Sequence, residues 1–335
     1  MTSSEQQVLW LSEKGGPFQI AYREIPRPGP GFVLVKIESC ALNPVDEVSQ
    51  RVGLFVDKYP HIAGNDGSGT VEEPKKGDRV FFQAEFKDHR GTFQQYVLVD
   101  VPLIAKIPDN LTFDQASTIP LGFTTAAIGL YEKKRDRGGA GLVAPWLEGG
   151  RGKYAGQAIY IPGGASSVGQ YAIQLAKLSG FNPIITTASA KNEAYCREAG
   201  ATHVIDYRTT PYTSVPAVVK EIAKGPVGVI YDPISTPESQ KADWEILGPD
   251  GSLVLTLPFA IDEAKGSRWV VLTFGSVRQP GLSEALGREM YAALPGLLAD
   301  GSIKPNKGYR PDLQRLAGGK VSGGKLVARP GETPA

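Results

Sequence analysis

The stretch Gln157 to Ser179, QAIYIPGGASSVGQYAIQLAKLS, decides the fold. Gln157 to Pro162 is an apolar run of the length of a buried strand, and Val168, Tyr171, Ile173, Leu175 and Leu178 then follow with the spacing of a helix. Between them Pro162 to Gly169 (PGGASSVG) is a turn of small residues, so its backbone amides and the helix N-terminus are open to an anion. Strand, glycine turn and helix in this order form the entry to a dinucleotide-binding unit, whose amides hold a pyrophosphate. The spacing departs from G-x-G-x-x-G: Gly164, Ser166 and Gly169 hold the glycine positions, with Ala165 and Val168 between them, and Ser166 and Ser167 offer hydroxyls in place of a bare backbone.

Working outward, strand and helix patterns alternate downstream. Strands are predicted at Pro183 to Thr187, His203 to Asp206, Val227 to Tyr231, Gly251 to Leu257 and Trp269 to Phe274, with helices near Asn192 to Ala199, Val215 to Ala223 and Ser239 to Leu247. Such alternation predicts an α/β architecture with a parallel, doubly wound sheet. Upstream the period is different. Phe32 to Ile37, Arg79 to Gln83 and Gln95 to Val99 are short β-branched or aromatic runs separated by Gly, Pro and Asp, so the first 120 or so residues read as mostly β. Glu132 to Gly156 is charged and glycine-rich and reads as a surface insertion. Ser283 to Leu298 reads as an amphipathic helix, and the strand at Val327 is expected to return to the N-terminal domain.

Composition narrows the function classes. The 335 residues carry 36 basic and 35 acidic side chains, and 41% are hydrophobic, the make-up of a globular protein of about two domains. A net charge of +1 supplies no field for a nucleic acid or an anionic membrane, and the basic cluster Lys133 to Arg137 reads as a solvated loop. Two cysteines, Cys40 and Cys196, cannot build a four-thiolate zinc lobe and point to a reducing compartment. Neither a signal segment in Met1 to Gly16 nor an apolar run of about 20 residues is present, so cytoplasmic residence is expected. Monomer and homodimer both stay open.

The second strand of the alternating half ends Thr187-Ala188-Ser189-Ala190-Lys191, without the carboxylate that holds a ribose hydroxyl in NAD-binding chains. Ser189 and Lys191 suit a 2′-phosphate instead, and Tyr207 suits the wall of the adenosine pocket. NADP(H) is the predicted cofactor.

Asn43-Pro44-Val45-Asp46, Pro60 to Gly67 (PHIAGNDG) and the run GGASSVGQYAIQLAKLSG resemble the medium-chain dehydrogenase/reductase superfamily over essentially the whole chain. The resemblance implies a GroES-like, mostly β catalytic domain from residues 1–124 and 294–335, and a Rossmann cofactor domain from 125–293. Within the superfamily the sequence looks like the zinc-independent quinone-reductase branch. It is most similar there to trans-acting enoyl reductases of fungal polyketide synthases, which carry a similar insert before the glycine turn. Zinc-dependent relatives have cysteine, histidine and cysteine where this chain has Asn43, Asn65 and Leu121, so no metal is expected. His61 and His89 read as surface or loop-packing residues.

The implied chemistry is metal-independent hydride delivery to the β-carbon of an α,β-unsaturated carbonyl compound, with charge passing to the carbonyl oxygen. The resemblance assigns Asn43 and Thr125 to catalysis, Asn43 as an amide donor to a carbonyl or ribose hydroxyl and Thr125 against the nicotinamide. It adds Pro44, Asp46, Leu257, Val321 and Ser322 to the cofactor residues, and Lys325 reads as an exposed strand charge. The lysine that serves as family proton donor is replaced by Val48, and a tyrosine used by other branches falls near Phe55, leaving water or Tyr59 to supply the proton. A small or carrier-tethered unsaturated acyl substrate, with a polyketide synthase partner, follows from the subfamily likeness. Reduction of quinones or alkenals on the same fold, and NADPH binding without turnover, are the competing readings.

Overall fold

A computed structural model describes residues 4–332 apart from 75, 86, 88, 262–265, 274, 278–282 and 310–322. The chain divides into two compact units: Met1–Leu121, Tyr291–Asp300 and Pro305–Ala335 form unit 1, and Gly122–Met290 with Gly301–Lys304 form unit 2.

Unit 1 opens with β1 (Glu5–Leu11), β2 (Phe18–Glu24), β3 (Phe32–Ala41), α1 (Pro44–Val52), β4 (His61–Ile62), β5 (Asp66–Glu73), β6 (Arg79–Gln83), β7 (Tyr96–Asp100), β8 (Ile104–Lys106) and α2 (Phe113–Ser117). Helix α3 (Pro120–Tyr131) leads into unit 2, which continues with β9 (Ile159–Ile161), α4 (Ser167–Leu178), β10 (Ile184–Ala188), α5 (Glu193–Ala199), β11 (His203–Asp206), α6 (Val215–Ala223), β12 (Val227–Asp232), α7 (Pro237–Ile246), β13 (Leu247–Leu255) and β14 (Trp269–Leu272). Helix α8 (Glu284–Ala299) carries the chain back, and β15 (Gly308–Tyr309) and β16 (Lys325–Ala328) complete unit 1.

In unit 1 one sheet has the order β15-β16-β3-β5-β6-β8 with β7 on β3, and a smaller one has the order β2-β1-β4. Strand β16 pairs antiparallel with β3, Val327 opposite Ala41 and Ala328 opposite Cys40, which is the predicted return of the C-terminal strand. The core between the sheets gathers Val8, Val35, Ile37, Ile62, Phe82, Val97 and Val99. Strand β5 (DGSGTVEE) has the composition of a turn, yet it runs beside β3 because Gly69 brings the backbones together: a Cβ there would meet the Lys36 carbonyl. Helix α1 starts where Pro44 takes its first position and the Asp46 carboxylate accepts the Asn43 N–H at 2.8 Å; it stops at Gly53, with φ of 73°.

Unit 2 is a six-stranded parallel sheet in the order β11-β10-β9-β12-β13-β14. Strand order reverses between β9 and β12, so the PGGASSVG turn leaves the sheet at its topological switch point.

Glu132 to Gly156 is only in part a surface insertion: Lys133, Lys134, Asp136 and Arg137 are exposed, but other parts of the segment pack into the unit. Ala140 and Ala144 are buried, the Trp146 ring lies 5.2 Å from Tyr131 and 6.4 Å from Phe123, and Tyr154 stacks on Phe181 at 5.0 Å. The Trp269 indole donates to the Gly139 carbonyl at 2.9 Å. The glycines that suggested a loose loop permit close packing instead, since a Cβ at Gly139 would meet the Ile128 carbonyl.

Candidate active site

Unit 1 holds a largely buried polar cluster that includes Asn43, Asn65 and the Leu121 backbone, the three positions that the family resemblance assigns to metal ligands in zinc-dependent relatives. Asn43, at the end of β3, gives its side-chain amide to the Ala41 carbonyl at 3.3 Å and to Asp66 Oδ2 at 2.9 Å. Asn65 Nδ2 donates to Asp46 Oδ1 at 2.9 Å, and the Leu121 N–H donates to Asp66 Oδ1 at 2.6 Å. The ammonium of Lys325, brought in at the start of β16, is ion-paired with Asp66 Oδ2.

Three sequence readings change here. Lys325 is 4% exposed, not a surface charge, because β16 delivers it directly beside the fully buried Asp66. Both amide hydrogens of Asn43 are committed, so its Oδ1 acceptor, not its donors, is what it can offer. His61 is buried in β4 opposite Leu11, and burial lowers its pKa, whereas the His89 ring meets Trp10 edge-on at 5.1 Å.

A zinc ion would find an amide, an amide and an aliphatic side chain at these positions, a donor set that does not fit it. Among the described residues no group of three His, Cys, Asp or Glu side chains could hold a metal ion. Burial pushes the Asp46 carboxyl up to about 7, with Asp66 adding to the rise, against the opposing hydrogen bonds from Asn43 and Asn65 and the charge of Lys325. Burial likewise pushes the Cys40 thiol up to about 12, so it is no nucleophile.

This sets a pH signature. A carboxyl that holds its proton to about 7 when folded, against about 4 in the unfolded chain, stabilises the fold below pH ~4 and loses that contribution as pH rises through 7. Asp46→Asn is therefore expected to gain stability relative to the parent between pH 5 and pH 8. Urea melts at the two pH values check this, and a pH-independent difference would contradict it.

In unit 2 the glycine turn is held by its own hydrogen bonds. Ser166 caps α4, its Oγ accepting the Gly169 N–H at 3.0 Å, so that hydroxyl serves first as a helix cap. The Gly163 N–H goes to Thr187 Oγ1 and the Gly164 N–H to the Thr187 carbonyl, both at 3.0 Å, tying the turn to β10. The amides of Ala165 and Val168 have no acceptor among the described residues and stand at the N-terminus of a 12-residue helix, which fits a dinucleotide pyrophosphate.

The adjoining corner is organised by Asp206. Its carboxylate accepts the Ala190 N–H at 3.3 Å and the Arg208 N–H at 2.9 Å, which brings the Ser189 to Lys191 turn beside Tyr207. Ser189 is buried and accepts from Asn192 Nδ2 at 3.3 Å, while Tyr207 is 44% exposed. Lys191 and Arg208 are exposed cations without an ion-pair partner among the described residues. Arg208, next to the predicted Tyr207, carries no motif that would have singled it out.

Thr125 lies inside α3 and not at its start, so it caps nothing; it is 8% exposed, and its carbonyl accepts from the Tyr231 hydroxyl at 2.7 Å. Leu257, just past β13, is 51% exposed. Val321 and Ser322 lie outside the described residues. Pro44 and Asp46 belong to α1, Pro44 at its first position and Asp46 within the cluster above.

Comparison with known proteins agrees with this architecture. Residues 29–109 match the alcohol dehydrogenase GroES-like domain, and residues 167–257 match the zinc-binding dehydrogenase family. The trans-enoyl reductase himH of Aspergillus japonicus is 32% identical over 89% of this chain and 86% of its own length. The chain belongs to the medium-chain dehydrogenase/reductase superfamily. It is an oxidoreductase of that superfamily and carries the two folds expected, the GroES-like β unit and the parallel Rossmann sheet. The dehydrogenase pigH of Monascus ruber is 35% identical over 62% of this chain, a match that spans 59% of that protein. An alcohol dehydrogenase superfamily protein from Novosphingobium aromaticivorans is 26% identical, with a TM-score of 0.77 over 96% of this chain and 98% of that one. No helix among the described residues is long and apolar enough to cross a membrane.

Proposed function

We propose that this protein is an NADPH-dependent, zinc-independent reductase of α,β-unsaturated carbonyl compounds, with an enoyl thioester of the polyketide type as its substrate. The observation that carries the reading is the buried cluster of Asn43, Asp46, Asn65, Asp66 and Lys325. A chain that keeps the superfamily fold but fills the metal positions with amides and an aliphatic side chain has lost the Lewis acid that alcohol oxidation uses, while conjugate reduction needs none. The likeness to a named trans-enoyl reductase over most of both chains supports the same chemistry.

The nicotinamide supplies the hydride when bound. In this reading the amides of Ala165 and Val168 bind the pyrophosphate, with Gly164, Ser166, Ser167 and Gly169 shaping the turn. Ser189, Lys191 and Tyr207 receive the 2′-phosphate and adenosine, and Arg208 adds a second cation. Thr125 and Leu257 border the nicotinamide, while Pro44 and Asp46 set the position of Asn43, the residue assigned to catalysis. The acyl substrate arrives free or tethered to a carrier of a polyketide synthase, in the cytoplasm.

The test is oxidation of NADPH, with NADH as control, by chelator-treated protein offered an enoyl thioester, an alkenal and a quinone. Enoyl turnover with NADPH in preference to NADH is expected. Turnover of quinone or alkenal alone would move the substrate class, and NADPH binding without oxidation by any acceptor would replace the reading with a non-catalytic one. Lys191→Ala is expected to weaken NADPH about tenfold, the effect of one charge-assisted contact of roughly 1.5 kcal/mol, and to leave NADH unchanged. Equal losses for both cofactors, read from their KM values, would remove Lys191 from the 2′-phosphate.

A further inference from the structure

We infer that Asp243 is a positioning residue of the dinucleotide site: its carboxyl keeps a proton and donates it to Asp232, so that Asp232 can hold the loop on which the glycine turn rests. The pairing of the two carboxyls stands on unit 2 alone; its consequence for binding rests on the dinucleotide reading above.

Both carboxyls lie inside unit 2. Asp232 ends β12, the strand beside β9, Asp243 lies in α7, and each is 0% exposed. Their surroundings differ in what they donate. Asp232 Oδ1 accepts the N–H groups of Ile234 at 2.7 Å and Ser235 at 2.8 Å, and its Oδ2 accepts the Ser239 hydroxyl at 2.7 Å. Neither oxygen of Asp243 receives a hydrogen from an N–H or O–H group among the described residues. A buried carboxylate without donors is costly, whereas a protonated one needs only an acceptor. Asp232 is that acceptor, within hydrogen-bond reach of Asp243. A carboxylate offers about four lone-pair sites; Ile234, Ser235 and Ser239 take three, and the Asp243 proton fills the fourth.

The electrostatics agree with this assignment. Burial first, then the Asp232 charge and the hydrogen bond between the carboxyls, hold the Asp243 carboxyl well above the usual carboxylate range. The other titratable groups around the pair are phenols, Tyr160 on β9 and Tyr212 ahead of α6, and both feel the two carboxyls as charges. On the elements packed against α7, Lys220 and Glu221 of α6 and Asp250 of β13 are exposed. Arg268 is engaged elsewhere, lying 4.3 Å over the Trp244 ring and donating to the Leu247 carbonyl at 3.1 Å.

What Asp232 holds bears on the cofactor turn. Ile234 packs on Gly163, where a Cβ would lie 2.4 Å from the isoleucine side chain. Ser235 has φ of 51°, in the left-handed region that residues with a side chain rarely adopt, and Asp232 keeps it there by taking its N–H. The Ser235 hydroxyl accepts the Thr256 N–H at 2.9 Å, and Gln240 of α7 donates to the Ser235 and Pro258 carbonyls at 2.9 and 3.0 Å. Helix α7 thus ties together the loops that leave the C-terminal ends of β12 and β13, on the side of the sheet from which the glycine turn emerges. Loss of the shared proton sets two buried charges against each other at the base of that loop.

Two measurements test this. Urea unfolding at pH 5.5 and pH 7.5 gives the folding constants of the parent and of Asp243→Asn. The folded parent holds one proton more than its unfolded chain, whose free aspartate ionises near pH 4, so that contribution to stability is lost as pH rises; the asparagine has no such proton and still donates to Asp232. The ratio of the two constants is expected to move toward Asp243→Asn by about tenfold per pH unit, about 100-fold across the interval. A ratio that stays constant would show that Asp243 is ionised, and the proposal would fall. Calorimetric titration with NADPH at pH 6.5 reads the positioning role. Asp243→Asn is expected to bind within about threefold of the parent, and Asp243→Val, which leaves Asp232 one donor short, about tenfold more weakly with parent-like circular dichroism. Parent-like affinity in a folded Asp243→Val would make the pair a brace of α7 only and overturn the positioning role; the urea ratio decides the shared proton whether or not the valine variant folds. A parent that binds neither NADPH nor NADH would sink the dinucleotide reading and the positioning role with it, a result that the urea ratio tells apart from loss of the proton pair.

Discussion

Asp66→Ala is expected to destabilise the protein by about 3–5 kcal/mol, the cost of removing one partner from a buried ion pair. The carboxylate is fully buried and receives the Lys325 ammonium, the Asn43 amide and the Leu121 backbone N–H. Its loss strands a cation and two N–H donors at once. The ion pair itself is a different matter: replacing both charges by groups of similar shape is frequently neutral, because the desolvation of two ions offsets most of their attraction. Asp66→Asn combined with Lys325→Met should therefore recover most of what Asp66→Ala loses. Urea unfolding of the three proteins at pH 7 measures both quantities. A loss below about 1 kcal/mol for Asp66→Ala would show that water replaces the carboxylate at little cost, and the cluster would then be less enclosed than its exposure indicates.

The sequence made the Rossmann unit legible and left most of the GroES-like unit obscure, for a physical reason. Parallel strands buried on both faces appear as short apolar runs; Ile159–Ile161, His203–Asp206 and Trp269–Leu272 stand within the runs predicted for them, and Val227–Asp232 exceeds its run by one residue. Antiparallel strands such as β1 and β2 are partly exposed, and the mostly buried β5 is built on glycine and serine packed against β3, which lies well upstream in the sequence. No local pattern announces that kind of pairing. The packed part of the insertion is not legible because glycine signals a loop equally well whether the chain is loose or is pressed against backbone, as Gly139 and Gly150 are.

The candidate site divides along the same line. The glycine turn, Ser189, Lys191 and Tyr207 are close in sequence to the strands that position them, so their grouping could be read locally. The burial of Lys325 could not, because it depends on a partner 259 residues earlier in the chain, and an isolated lysine in a strand is by default a solvated one. One trace was present: the pair Gly323-Gly324 directly before it marks a close approach, and a charge that follows such a turn is carried inward as readily as outward.

Gly169→Val has the other large effect, and it falls on the cofactor. A Cβ at position 169 would lie 2.5 Å from the Gly163 carbonyl oxygen and 3.0 Å from the Gly164 Cα, both backbone atoms that cannot rotate away. The helix must therefore move off the turn, and the Ala165 and Val168 amides move with it, together with the Ser166 cap that Gly169 itself completes. Overpacking of this kind costs about 1–3 kcal/mol in stability. The loss in NADPH affinity is expected to reach about 100-fold, or about 3 kcal/mol, because the pyrophosphate contacts depend on amides held to a fraction of an ångström. Gly169→Ala should fall between the parent and the valine variant, since the methyl group meets the same backbone but a smaller shift accommodates it. Titration of NADPH followed by calorimetry, alongside circular dichroism to confirm the fold, separates the two effects. A folded valine variant that binds NADPH within threefold of the parent would place the pyrophosphate elsewhere. A graded loss across alanine and valine would locate it at the N-terminus of α4, where the strand order of the sheet reverses and two amides of the turn have no acceptor among the described residues.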